Sequence, residues 1–238
     1  MESINERVHK LIEENRDKFN GEHVSFDGVV DEDAYLKSDV HVAFLLKDTD
    51  LKEDEKSVDW EYMRDLRKHI LDTTESLYKT WPNACLWLEV LKNPETSFED
   101  CLAENEAVDI ARLRSNMLET AIINLKKTHG GGQSNFDELK DAVENYGKLT
   151  KEEIDIIDPH LIICGGTFDF AKQLFCSDDT DDFDVKLLPS GEHYFIVKKR
   201  VYLEFVHPCW FNVHRKILFA YAKSVFREIM GVVKAQKA

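Results

Sequence analysis

The sequence has no long apolar run. Nothing in its 238 residues approaches the length that spans a bilayer, and the first residues, "MESINERVHKLIEENRDKF", read as a charged amphipathic helix rather than an apolar leader. Membrane-spanning and secreted proteins are thereby set aside, and the expected location is cytoplasmic. Cysteine is sparse and unpaired in pattern. Cys85, Cys101, Cys164, Cys176 and Cys209 are scattered, odd in number and without a C-x-x-C pair, which argues against a disulfide framework and against a zinc site. No two histidines stand at metal spacing on one helix, so neither a metal nor another cofactor is expected. Three further signatures are missing: the G-x-x-x-x-G-K-[ST] phosphate loop, the G-x-G-x-x-G fingerprint and the G-x-S-x-G nucleophile elbow. The acidic "SDDTDDFD" lacks the glycine and closing glutamate of a calcium loop and reads as a solvated loop.

Positive charge is also short. Lys and Arg number 31 against 46 Asp and Glu, a net charge of -15. That balance points away from tight non-specific DNA binding, in which phosphate neutralisation supplies much of the affinity. The acid is uneven, gathering in "DEDAYLKSD" (31–39), "DTDLKEDEK" (48–56), "FEDCLAENEAVD" (98–109) and "CSDDTDDFD" (176–184). This acidic surface is a candidate contact for a protein partner. Basic residues gather at Lys126 and Lys127, in "VKKR" (197–200) and in "HRK" (214–216).

What is present is a series of short apolar runs. "VHVAFLL" (40–46), "TAIINL" (120–125) and "HLIICGG" (160–166) are continuous enough to be fully buried strands. "HYFIVKKRVYLEFVHP" (193–208) reads as two extended pieces, the second ending at His207-Pro208. Helical patterns lie between, at 60–81, 104–118, 136–157, 168–175 and 211–233. The 136–157 stretch splits near Gly147 to Thr150, with Thr150 as an N-cap and Glu153 completing a capping box. Alternating strands and helices predict an α/β domain, a three-layer α/β/α arrangement around a central four-stranded, mainly parallel sheet, over residues 40–238. Residues 1–39 form a helical, charged extension packed on it.

In such sheets the ligand lies at the carboxyl ends of the strands. The strand ends therefore become the site candidates: Lys47 and Asp48, Asn124 to Thr128, Gly165 to Thr167, and His207 to Trp210. Asp48 is an anionic acceptor able to hold a water, and the Asn124 amide can both donate and accept. Gly165 and Gly166 permit close backbone approach to a ligand, and Pro208 stiffens the chain that aims His207.

The order of these motifs resembles the uracil-DNA glycosylase superfamily. "VAFLLKDTD" resembles its first-strand motif, "AIINLKKT" its second-strand segment with a base-reading Asn, "PHLIICGG" its third strand, and "YLEFVHPCW" its His-Pro motif. The resemblance covers roughly residues 40 to 235. It implies a monofunctional DNA N-glycosylase that flips a nucleotide out of single- or double-stranded DNA and leaves an abasic site. On that resemblance Asp48 orients the attacking water, Asn124 binds the flipped base, and His207 stabilises the departing base. Lys47, Asp50, Gly165 and Gly166 are the other substrate-binding positions. Lys126, Lys127, His129, Lys198, Lys199, Arg200 and Trp210 are the expected DNA contacts. Where the best-known branch continues its first motif with Pro and Tyr, this chain has Thr49 and Asp50, which implies room for a 5-modified pyrimidine. A non-catalytic nucleic-acid or protein binder of the same fold, and a hydrolase of free nucleosides or nucleotides, are the alternatives. The three lead residues are expected to converge on one pocket if the chain is a glycosylase.

Overall fold

The computed structural model describes residues 2–50, 58–74, 76–77, 80–130, 135–176, 184–210 and 213–237. The acidic stretches at 51–57 and 177–183, and the side chain of Asp50, lie outside the described residues.

The chain opens with helix α1 (Ile4–Glu13), begun by a complete capping box between Ser3 and Glu6. Its inward stripe is Ile4, Val8 and Ile12, spaced by one turn as one helical face requires. Strand β1 (Gly28–Val29), helix α2 (Glu32–Lys37) and strand β2 (Val42–Leu46) follow, then the short β3 (Thr49–Asp50). Helices α3 (Tyr62–Leu71), α4 (Trp81–Lys92) and α5 (Ile110–Leu113) precede β4 (Thr120–Asn124) and the short β5 (His129–Gly130). The remainder is α6 (Phe136–Ile157), β6 (Leu161–Gly165), α7 (Phe168–Cys176), β7 (Lys186–Leu187), β8 (His193–Val197), β9 (Arg200–Phe205) and α8 (Arg215–Lys237).

The main sheet has seven strands in the order β1-β4-β2-β6-β9-β8-β7. Its centre, β4-β2-β6-β9, is parallel throughout and consists of the runs that the sequence marks as buried. β1 on one side and β8 with β7 on the other add antiparallel ladders. The expected four-stranded, mainly parallel sheet is thus corrected to a mixed sheet of seven. Two of the added strands, β1 and β7, are only two residues long, too short to show any periodicity in sequence.

Period-two alternation decides which face each residue serves. Phe44, Leu46, Ile122, Ile163, Leu203 and Phe205 pack with α3, α4 and α8. Their neighbours Ala43, Leu45, Ala121, Ile123, Ile162 and Tyr202 pack with α1, α6 and α7. A strand buried on both faces has little use for polar residues, so β2, β4 and β6 read as near-continuous apolar runs, with Thr120 at the start of β4 satisfied by donating to the Met117 carbonyl.

Several helices differ from the sequence expectation. The 60–81 pattern yields α3 ending at Leu71 and a second helix, α4, starting at Trp81 with Pro82 in its first turn. The 104–118 pattern yields four α-helical residues followed by a 3-10 segment. The break in α6 falls at Tyr146, whose φ/ψ of -140° and 23° is non-helical. Glu153 does not cap the second half; it is fully buried and its carboxylate binds Lys127. In the described residues no helix is long and apolar enough to cross a membrane.

Candidate functional site at the carboxyl ends of the parallel strands

The first two parallel strands, β2 and β4, are neighbours in the sheet: the chain steps from β2 to β4 on one side and then crosses to β6 on the other. The carboxyl ends of β2 and β6 therefore border a topological switch point, where open α/β sheets leave a crevice. Lys47 and Asp48 stand on one side of it, and Gly165 and Gly166 on the other.

Close packing explains the glycines. A Cβ on Gly165 would lie 2.8 Å from Leu46 Cδ2 and 3.2 Å from Pro208 Cδ. Gly166 takes a φ of +69°, a left-handed conformation that glycine adopts without strain, and its N–H donates to the Phe205 carbonyl at 2.9 Å. An added Cβ there would face Lys47 Cε at 3.7 Å. The glycine pair thus brings the ends of β2, β6 and β9 together. Thr167 fastens the start of α7 to the same place, donating from Oγ1 to the Leu45 carbonyl at 2.7 Å.

Asp48 is placed by the small second ladder. Thr49 pairs with His129 and Asp50 with Gly130, extending β2 and β4 beyond the main sheet. The Asp48 carboxyl then sits over Gly130, where a Cβ would come within 2.4 Å of Asp48 Cγ.

His207 is held by its own turn. Its Nδ1 accepts the Cys209 N–H at 3.2 Å and lies 2.9 Å from Cys209 Sγ. A backbone N–H can only donate, so Nδ1 carries the lone pair and the neutral ring holds its proton on Nε2. Burial, with the positive charge of Lys47, lowers the His207 pKa to about 4. The ring is therefore a neutral donor over the ordinary pH range. The turn is anchored by Asn83 of α4, whose Nδ2 donates to the Pro208 carbonyl at 2.8 Å and to that of Trp210 at 3.2 Å. Sequence reading missed Asn83 because it lies inside an apolar helix, 125 residues before its partner. Trp210 is exposed beside this turn.

Asn124, at the end of β4, is 1% exposed and belongs to a buried polar cluster. Its backbone N–H donates to Asp27 Oδ2 at 2.6 Å, and its Nδ2 donates to Asp27 Oδ1 at 2.8 Å and to Thr49 Oγ1 at 3.2 Å. Lys127 binds the same Asp27 carboxylate at 2.7 Å and also binds Glu153. Burial outweighs Lys127 at Glu153 and raises its pKa to about 7, with the Asp27 charge adding to the rise. Lys127 itself remains protonated: burial opposes its charge, but Asp27 and Glu153 together raise its pKa. Asp27 and Glu153 were not foreseen. The one signal was an aspartate amid the apolar "VSFDGVV" (24–30).

The expected DNA contacts divide accordingly. Lys127 is corrected: with a side chain 0% exposed and two carboxylate partners, it cannot reach a phosphate. Lys198, Lys199 and Arg200 do not rim the site. They form the turn into β9 and its first residue, and the carboxyl end of β9 carries His207, so they lie at the opposite end of the sheet. There Lys198 and Arg200 pair with Asp155, and Arg200 with Asp158 at 2.8 Å. Lys126 and His129 remain on the site side, Lys126 paired with Glu138. Lys47 lies 5.4 Å from the Phe136 ring centroid.

A cavity of about 320 Å³ lies between α6 and the segment that follows β4, lined in part by Asn20, Lys126, Thr128, Glu138 and Tyr146. Another, of about 460 Å³, lies between α6 and α7 near Lys151 and Phe175. None of Asp48, Asn124 and His207 lines either cavity. Residues 51–57, 131–134 and 211–212, which follow these strand ends in the chain, lie outside the described residues. No group of three or more metal-ligating side chains occurs among the described residues.

No protein-family model matches this chain, and neither does any curated protein or solved structure.

Proposed function

We propose that this chain is a cytosolic hydrolase of the uracil-DNA glycosylase-like α/β/α fold that cleaves the N-glycosidic bond of a flipped pyrimidine nucleotide. The observation that carries the reading is His207. It is a neutral Nε2–H donor beside Lys47 and the Gly165-Gly166 turn, at the switch point of the sheet. As the glycosidic bond breaks, negative charge grows on the base and positive charge on the sugar. His207 donates to the base, and the Lys47 ammonium favours the charge that develops there. Asp48 acts on the opposite side, near the sugar, where its carboxylate favours the cation and orients water. Asn124 contacts the base. With Thr49 and Asp50 where the resembled family has Pro and Tyr, the space at pyrimidine C5 admits a modified base.

A free nucleoside or nucleotide is the second reading. It is favoured by the absence of Lys127 and of Lys198 to Arg200 from the site's rim, which removes most of the expected phosphate track. The test is to incubate the protein with DNA bearing uracil or 5-modified pyrimidines, cleave abasic sites with alkali, and follow release of base from free nucleosides in parallel. Strand breaks lost in Asp48→Asn and His207→Ala support the DNA reading. Base release from nucleosides alone supports the second. Breaks untouched by either substitution overturn the site, and no release from any substrate favours a non-catalytic binder.

A further inference from the structure

Asp27 stands ahead of the first central strand, in the segment taken as an extension, yet its carboxylate accepts two hydrogen bonds from Asn124. Residues 24–29 run antiparallel to 121–128, bridging Val24 to Thr128 and pairing Gly28 with Ile122. Ser25 N–H also donates to the Lys127 carbonyl at 2.9 Å. On the outer side Asn5 of α1 takes the place of a neighbouring strand. It donates to the Val29 carbonyl and accepts the Val29 N–H, both at 2.8 Å. Gly28, at a φ of +141°, lets Asn5 sit where a Cβ would otherwise be, 2.3 Å from Asn5 Oδ1. Asp27 is thus fixed from both sides.

The chemistry of the lock is one-directional. A carboxylate only accepts, so the Asn124 atom facing Asp27 Oδ1 is the NH₂ group and the amide cannot flip. The second amide hydrogen goes to Thr49. Both donors are consumed, and the amide oxygen has no hydrogen-bond partner among the described residues.

We propose that Asp27 is a positioning residue that fixes Asn124 so that it offers a ligand only its amide oxygen, making the site select a pyrimidine that carries its donor at N3, as uracil does, over cytosine, whose N3 only accepts. The base as ligand rests on the glycosidase reading; the lock on Asn124 does not. Lys127 bridges the Asp27 and Glu153 carboxylates, so the triad serves Asn124 rather than phosphate.

Asp27→Asn is the primary variant. It leaves Lys127 paired with Glu153, so no cation is stranded, and the new amide can donate to the Asn124 oxygen and free its NH₂. Thr49→Val is the second variant, freeing one amide hydrogen with little change in volume. The first readout is hydrogen exchange of the Asn124 side-chain amide in ¹⁵N-asparagine-labelled protein, assigned by its disappearance in Asn124→Ala. The second is the ratio of kcat/KM for uracil over cytosine in otherwise identical DNA. The third is perturbation of the same amide by free uracil or free cytosine.

Exchange is expected to be about tenfold or more faster in Asp27→Asn, and the uracil preference to fall by about tenfold, the worth of one hydrogen bond to a charged group. Unchanged exchange in both folded variants overturns the positioning role. Faster exchange with an unchanged preference overturns the selectivity. If wild type releases no base, the glycosidase reading fails. The proposal then stands only if free uracil perturbs Asn124 more than free cytosine does and Asp27→Asn removes the difference.

Discussion

Replacing Lys127 with methionine removes the one cation from a site whose three charged side chains are all 0% exposed. Two carboxylates face one ammonium, so the wild-type triad carries an excess of one negative charge when Glu153 is ionised. Methionine fills similar space but leaves two buried anions unopposed. Breaking a buried ion pair in this way costs about 3–5 kcal/mol, against a total stability typically about 5–15 kcal/mol. The two anions do not share the loss equally. Asp27 still accepts from Asn124 at 2.6 and 2.8 Å. Glu153 retains nothing, since its Oε1 has no partner among the described residues. Glu153 therefore takes up a proton, and the cost shrinks as pH falls. Urea unfolding followed by tryptophan fluorescence should show Lys127→Met losing about 3–5 kcal/mol at pH 8 and clearly less at pH 5.5. A loss below about 1 kcal/mol at pH 8, or one independent of pH, would refute the triad as a buried charge cluster.

Glu153→Gln probes the same cluster from the other sign. The folded pKa of Glu153 is raised to about 7 from an ordinary 4.5, so between these values the native state binds more protons than the unfolded one. The residue's contribution to stability thus declines as pH rises through that window and levels off above it. The stability of Glu153→Gln relative to wild type should therefore climb from pH 4.5 to pH 7 in parallel urea titrations; a flat difference contradicts the assignment. For Gly130→Ala, the new Cβ would fall 2.4 Å from the Asp48 carboxyl and displace it. We expect kcat/KM for base release to drop about tenfold or more while stability changes by less than about 1 kcal/mol; equal activity would show that Asp48 is not where the chemistry occurs. Because the His207 pKa is lowered to about 4, base release should hold steady from pH 8 down to about pH 5 and fall near 4. A midpoint near the ordinary histidine value would mean that another group governs the reaction.

Much of the sheet was legible because burial on both faces favours near-continuous apolar runs, and "VAFLL", "TAIIN" and "LIICG" supply them. Helix α4 was not, because "WPNACLWLEVLK" is buried nearly all round and lacks the polar face that gives helical periodicity. The placing of Lys47, Asp48, Gly165, Gly166 and His207 at the carboxyl ends of strands was legible from strand polarity. Asp27, Asn83 and Glu153 were not, since each reaches its partner across 97, 125 and 26 residues, a relation no local pattern records. Lys198 to Arg200 were misplaced for the converse reason. Their charge was noted, but the direction of the strand they begin puts them at the wrong end of the sheet.

The sheet ends on both sides in strands of two residues, β1 and β7. Between them lie five-residue strands of wholly buried, β-prone sequence, the kind of segment that templates intermolecular pairing when an edge is open. The segment that carries Asp27 is also what closes the β4 edge. The residue that orders the site therefore sits on the molecule's guard against self-association, and a change that loosens the first 30 residues threatens solubility and site geometry together.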